Sequence, residues 1–262
     1  MNWQKPPLGS QIVRPDTGLV GFWPMNEGSG DRVNDLSGNG NNGTCVGDAH
    51  FVDSERGSCL SFDGAGDYVN CGTSLTSQFI ALTFSSWLKL GASGGWGGTL
   101  FSFVELYGYK PAMFLDYYTE PMLMLSATNS RYWPASATTT LKNGAWHHVV
   151  IVLTGYGQGD IEDAQMYIDG VLITPGATVS TSAPIAKDGL VFKIGAAGET
   201  YFNGSIDDVM IYDRALSTSE ITRLYQDPYW MFRRNRIELW TAASPVGEEP
   251  SEYDSVFMGC NF

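Results

Sequence analysis

The segment AQMYIDGVLI, residues 164–173, decides the fold class. Apolar and β-branched residues flank Asp169-Gly170 on both sides. Asp-Gly supplies the positive φ values that a two-residue type I′ turn needs, so a tight antiparallel hairpin is expected here. Just upstream, HHVVIVLTG (147–155) is an apolar run of the sort seen in a strand buried on both faces. ALTFSSWLKL (81–90) alternates apolar and polar side chains, the period of a strand with one face inward. TLFSFVEL (99–106), AMFLDYY (112–118) and MLMLSAT (122–128) continue that pattern. Toward the N-terminus, LVGFW starts a strand at residue 19, and TCVG, CLSFDG and DYVNCG are short strands split by Gly and Asp turns. FKIGAAG and FNGSIDDVMIYDRAL follow the hairpin. About a dozen short strands over residues 18–213, with turn signals between them, spell a sandwich or a barrel.

One helix is expected. Ser217 and Glu220 form an S-x-x-E capping box, and Ile221 and Leu224 follow on one face. The helix should end near Asp227-Pro228, because proline disfavours helix in the residue before it.

The composition agrees. The chain has 262 residues, 31 of them Gly, with 13% aromatic and only 16% charged residues. That balance suits a turn-rich all-β domain. No apolar run reaches the roughly 18 residues of a membrane span, so no membrane insertion is expected. The start, MNWQKPPLGSQ, lacks the basic and apolar regions of a secretory signal. A net charge of −13 argues against nucleic-acid binding. Four cysteines (Cys45, Cys59, Cys71 and Cys260) include no CxxC pair, so zinc is not expected and buried free thiols are.

Four pieces, in order, resemble the concanavalin A-like lectin/glucanase superfamily, and within it the laminin G-like jelly-roll modules. They are GLVGFWPMNEGSGDRVNDLSGNGNNGT (18–44), CLSFDGAGDYVNCG (59–72), LTFSSWLKL with AWHHVVIVLTG and MYIDGVLI, and FNGSIDDVMIYDRALSTSEITRLYQ (202–226). The resemblance implies an antiparallel β-sandwich jelly roll over residues 18–226 with one short C-terminal helix. Residues 1–17 then read as an N-terminal arm and residues 227–262 as a C-terminal docking tail. The run LYQDPYWMFRRNRIELW also resembles the C-termini of such modules in bacteriophage and other viral structural proteins.

Fold does not give function, so the residues must. The superfamily's glycoside hydrolases carry two carboxylates on one strand, spaced E-x-D-x-x-E, and no such spacing occurs here. Asp160, Glu162 and Asp163 sit in a Gly-rich turn, where strand alternation cannot aim two carboxylates at one cleft. No enzyme is expected. His147 and His148 are adjacent on a strand and point to opposite faces, so they cannot share a metal; one is expected packed and one exposed.

Three candidate sites remain. The loop DLSGNGNNGT offers oxygens of the kind calcium takes, from Asp35, Asn39 and Asn41, and Asp207 or Asp208 approaches from the last strand to complete a structural Ca2+ site. Trp96, Tyr107, Tyr109, Tyr132 and Trp133, held in Gly-rich or turn segments, are the candidate glycan-stacking rings. Tyr229, Trp230, Phe232, Arg233, Arg234, Arg236 and Trp240 form an aromatic-basic run of the composition that protein interfaces favour. Together they read as a non-enzymatic binding module of a phage or viral virion: a capsid decoration, fibre or tail adhesin. Its partners would be capsid or tail proteins, a cell-surface glycan, or further copies in a homo-oligomer. The alternative is a cellular or secreted carbohydrate-binding module acting outside the cell or at its surface.

Overall fold

The structure is a computed structural model, and it describes residues 5–7, 10, 18–73, 75, 81–91, 98–104, 112–117, 120–126, 129–155, 161–176, 178–179 and 191–232. Its strands in chain order are β1 (Leu19–Trp23), β2 (Arg32–Val33), β3 (Gly43–Val46), β4 (His50–Ser54), β5 (Gly57–Asp63), β6 (Tyr68–Asn70) and β7 (Leu82–Leu90). Next come β8 (Thr99–Val104), β9 (Ala112–Tyr117), β10 (Glu120–Ser126), β11 (Asn129–Tyr132), β12 (His147–Leu153) and β13 (Gln165–Ile168). The last are β14 (Val171–Ile173), β15 (Thr178–Val179), β16 (Val191–Ile194), β17 (Ala196–Ala197), β18 (Thr200–Tyr201) and β19 (Asn203–Tyr212). Two helices, α1 (Ala135–Leu141) and α2 (Thr218–Gln226), and a 3-10 turn at Trp230–Phe232 complete the described elements.

Two antiparallel sheets form the sandwich. Sheet A runs β14-β13-β12-β7-β19-β5-β4, with β1 also pairing β19. Sheet B runs β15-β11-β10-β9-β8-β16-β6-β3-β2. The core between them takes alternate side chains from each strand: Phe84, Leu88, Val149, Ile151, Ile206 and Ile211 from sheet A, and Phe101, Phe103, Leu123, Phe192 and Ile194 from sheet B. Phe84 stacks on Phe101 with ring centroids 4.1 Å apart, which pins the two sheets together at the centre.

The hairpin read from Asp169-Gly170 is present: β13 pairs β14, and the two turn residues have φ values of 53° and 78°. The capping box is present too. Ser217 Oγ accepts from the Glu220 N–H, and Glu220 Oε2 accepts from the Ser217 N–H. Helix α1 was not expected. Its sequence, ASATTTL, is poor in strong helix formers, and it is held by burying Ala137, Thr138 and Leu141, with Thr138 Oγ1 donating to the Leu115 carbonyl.

Sheet A is covered on its outer face as well. There Leu19, Phe22, Val150, Val152, Tyr167, Met210 and Tyr212 pack against Ile221 and Leu224 of α2 and against Tyr229 and Met231. This second layer explains why β12 is buried along its whole length. It also corrects the expectation that one of the two histidines is exposed, since both are buried. His147 lies between Asp169 Oδ2 (2.7 Å from Nδ1) and Asn143 Oδ1 (3.0 Å from Nε2), while the His148 N–H donates to Asp169 Oδ1. His147 and His148 thus lock the Asp-Gly hairpin. His148 Nε2 meets Ser85 Oγ at 2.8 Å, and burial together with the nearby Arg56 holds its pKa down at about 3. Cys45, Cys59 and Cys71 are free thiols, and burial raises the pKa of all three; Cys260 lies outside the described residues.

Candidate functional site

The loop after β2 is organised by one carboxylate. Asp35 Oδ1 accepts from the N–H groups of Phe22 and Ser37, at 2.9 and 2.8 Å. Its Oδ2 accepts from Ser37 Oγ and from the Asn41 N–H, both at 2.8 Å. Asn39 and Asn41 turn their amide N–H groups onto the Val20 carbonyl, and the Asn41 carbonyl accepts from Trp23 Nε1. The loop therefore closes on itself and staples onto β1. Asp35→Ala is expected to lose about 2–3 kcal/mol, because it strands several backbone donors at once. Equilibrium urea unfolding measures this, and an unchanged midpoint would mean that water replaces the carboxylate freely.

The acids expected from the far end of the domain have other partners. β19 carries a bulge at Asp207–Asp208, where Asp208 has a φ of 49°. Both side chains are buried. Asp207 is paired with the Lys5 ammonium and with Arg56 Nε. Asp208 Oδ2 lies 2.7 Å from the other arm of the Arg56 fork, and Tyr229 donates its hydroxyl to the same carboxylate. The Arg56 guanidinium lies 3.9 Å over the Trp87 ring. Burial and the adjacent Asp208 raise the pKa of Asp207, against the pull of Lys5 and Arg56. Asp35, Asn39 and Asn41 thus form one hydrogen-bonded unit and Asp207 with Asp208 another. Among the described residues no group of three or more His, Cys, Asp or Glu is arranged to hold a metal. Each half of the expected calcium ligand set spends its carboxylate oxygens on protein donors.

The termini are corrected in the same way. Lys5 and Pro6 belong to the fold, with the Pro6 carbonyl accepting from Asn26 Nδ2 at 2.8 Å. Tyr229, Trp230 and Phe232 pack on their own sandwich rather than waiting for a partner. Phe232 meets Phe22 at 5.4 Å between centroids, and Trp230 sits under the Arg223 guanidinium. The sandwich therefore continues past residue 226. Arg233, Arg234, Arg236 and Trp240 lie outside the described residues.

Of the glycan candidates, Trp96, Tyr107 and Tyr109 lie outside the described residues. Trp133 is fully buried in the main core and cannot meet a sugar. Tyr132 is half-buried on the outer face of sheet B, against Ala112, Phe114, Met122 and Met124.

That outer face holds a feature the loop aromatics did not point to. Strand register places Arg32, Thr44, Asn70, Lys193, Ser102, Ala112, Met124 and Ser130 directly opposite one another, a row across eight strands. Its Ala112–Met124 half is closed. Its other half is open: Arg32 and Thr44 are exposed, and Asn70 and Lys193 are half-buried. Tyr68, two residues before Asn70 on the same face, lies with its ring 4.3 Å beneath the Lys193 ammonium. The signal for these residues was the alternation within DYVNCG and VFKI, whose odd partners fill the core.

Residues 63–222, more than half of the chain, match the family model Laminin_G_3, described as the concanavalin A-like lectin/glucanases superfamily. The chain belongs to that superfamily. Its jelly-roll sandwich is that of the laminin G-like modules. A stretch of the adhesion G-protein coupled receptor V1 of Danio rerio is 28% identical over 169 residues, which is 60% of this chain. The chain spans only 2% of the length of that receptor. Among solved structures, domain 4 of AbnA, a GH43 extracellular arabinanase from Geobacillus stearothermophilus in complex with arabinotriose, superposes with a TM-score of 0.60 at 20% identity, covering 79% of this chain and 98% of that domain. Trypanosoma rangeli sialidase in complex with the inhibitor DANA gives a TM-score of 0.60 at 18% identity, covering 88% of this chain and 36% of the sialidase. The binding domain of botulinum neurotoxin DC, in complex with rat synaptotagmin II, gives 0.57 at 14% identity, covering 80% of this chain and 51% of that one. These likenesses are of fold.

Proposed function

We propose that this chain is a non-catalytic carbohydrate-binding module that reads a glycan on the open half of the outer face of sheet B. The observation that carries this is the strand register. It sets Arg32, Thr44, Asn70 and Lys193 in one line, with the Tyr68 ring beside it. A sugar-sized ligand needs that combination: an aromatic face for its C–H surface and a few fixed polar groups for its hydroxyls. The match of fold to an arabinanase domain solved with arabinotriose supports the reading.

The non-catalytic part rests on the carboxylates. Glycoside hydrolysis needs two of them flanking an open cleft, about 5–10 Å apart. Asp207 and Asp208 are adjacent, but Lys5, Arg56 and Tyr229 seal them under sheet A. Glu162 and Asp163 are exposed. Among the described residues no helix is long and apolar enough to cross a membrane. The setting we infer is extracellular: a cell surface, or a virion that attaches to one. The virion reading draws its support from the C-terminal run, of which only Arg233, Arg234, Arg236 and Trp240 remain as partner-docking candidates.

A glycan panel followed by titration calorimetry tests the site. Tyr68→Ala and Asn70→Ala are each expected to weaken binding at least about tenfold, which corresponds to about 1.4 kcal/mol, while leaving the melting temperature in place. Tyr132→Ala, at the closed end of the row, should act more weakly. A blank panel at millimolar sugar would overturn the reading.

A further inference from the structure

The Lys5 ammonium sits in a cage of oxygens. It donates to Asp207 Oδ1, to the Pro24 carbonyl at 2.8 Å and to the Ser58 carbonyl. An alkylammonium has three N–H donors and no acceptor, so three oxygens saturate it. The three come from separate elements: the β19 bulge, the segment after β1, and β5. The lysine side chain is 9% exposed, and the Asp207 side chain is fully buried. Around the cage the charges balance, with Lys5 and Arg56 against Asp207 and Asp208. Remove Lys5, and one buried carboxylate is left without its cation. The cage does not depend on Lys5 for its shape. Asp208 is held by Arg56 and Tyr229, Asp207 by Arg56 Nε and the Asp208 N–H, and the Pro24 and Ser58 carbonyls by strands β1 and β5. Beside it, among the described residues, Pro6 is buried and its carbonyl accepts from Asn26 Nδ2.

We propose that Asp207 Oδ1 and the carbonyls of Pro24 and Ser58 form a primary-ammonium binding site, which Lys5 fills in cis. Nothing in the glycan reading requires this site, which lies on the other sheet. Its ligand class is a primary alkylammonium on a slender stem. Lysine side chains and small amines qualify; quaternary ammonium ions do not, because they lack the N–H donors and exceed the cage.

The test uses the full chain with Lys5→Met, which keeps an apolar stem and removes the ammonium. Melting temperatures are measured in ethylammonium chloride and in tetramethylammonium chloride at equal concentration. The variant should melt below the wild type by on the order of 5 °C in tetramethylammonium. Ethylammonium at about ten times its dissociation constant should return about 3–5 °C of that, while the wild type shows no difference between the salts. Adding Asp207→Asn to the variant should abolish the ethylammonium response. Equal melting of the variant in both salts, or melting indistinguishable from the wild type, would overturn the proposal. If Lys5→Met does not accumulate folded, its refolding yield in the two salts reads the same site, and equal yields count against it.

Discussion

Arg56→Ala should lose about 3–5 kcal/mol of stability, the effect of breaking a buried ion pair and leaving its partners charged. Three interactions go at once. Arg56 Nε holds Asp207 at 3.2 Å, the other arm of the guanidinium holds Asp208 at 2.7 Å, and the planar group covers Trp87. The left-handed conformation of Asp208 is also in play, since a non-glycine residue keeps a positive φ only where its surroundings enforce it. Arg56→Lys restores the charge but not the fork or the stacking plane, so it should recover less than half of the loss. Urea unfolding of the two variants measures this. A lysine variant as stable as the wild type would show that only charge matters there.

Trp133→Ala should lose a comparable amount, about 3–5 kcal/mol, because a fully buried indole leaves a cavity that the sandwich cannot close. The more telling result is what stays. Measured well below its melting temperature, the variant should bind glycan as the wild type does. If Trp133→Ala instead kept its melting temperature and lost the glycan, the core placement of this ring would be wrong.

Trp133 illustrates where sequence stops informing. Its neighbours, NSRYWPA, form a turn-like segment, and aromatic rings in turns suggest exposure. Strand β11 ends at Tyr132, however, and the register that turns Tyr132 outward sends the next ring into the core. Local patterns with local causes were legible: the Asp-Gly hairpin, the Ser217–Glu220 box, and the apolar β12. The order of four motif pieces was enough for the superfamily. What was not legible depends on which faces become covered. Periodicity shows that β12 is doubly buried but not that α2 and the Trp230–Phe232 turn supply the cover, so His147 or His148 looked free. Asp35 follows β2 of sheet B and Asp207 lies midway along β19 of sheet A, and the donors that claim their oxygens come from the backbone of β1 and of the Asp35 loop, from Arg56 and from Lys5. None of these is marked in the sequence as a partner. The open polar half of the row on sheet B is built from four different short strands, so no single stretch contains it.

The Asp207–Asp208 bulge receives Lys5 from the start of the described fold and Tyr229 from its end. Among the described residues, the first and last parts of the chain thus meet at one patch of sheet A. In a longer polypeptide, tension carried through that patch would cross β19 and β5 of sheet A and bypass sheet B. The module would hang from the line as a pendant rather than serve as a link in it, and the sheet B face would keep its shape while the tether is pulled.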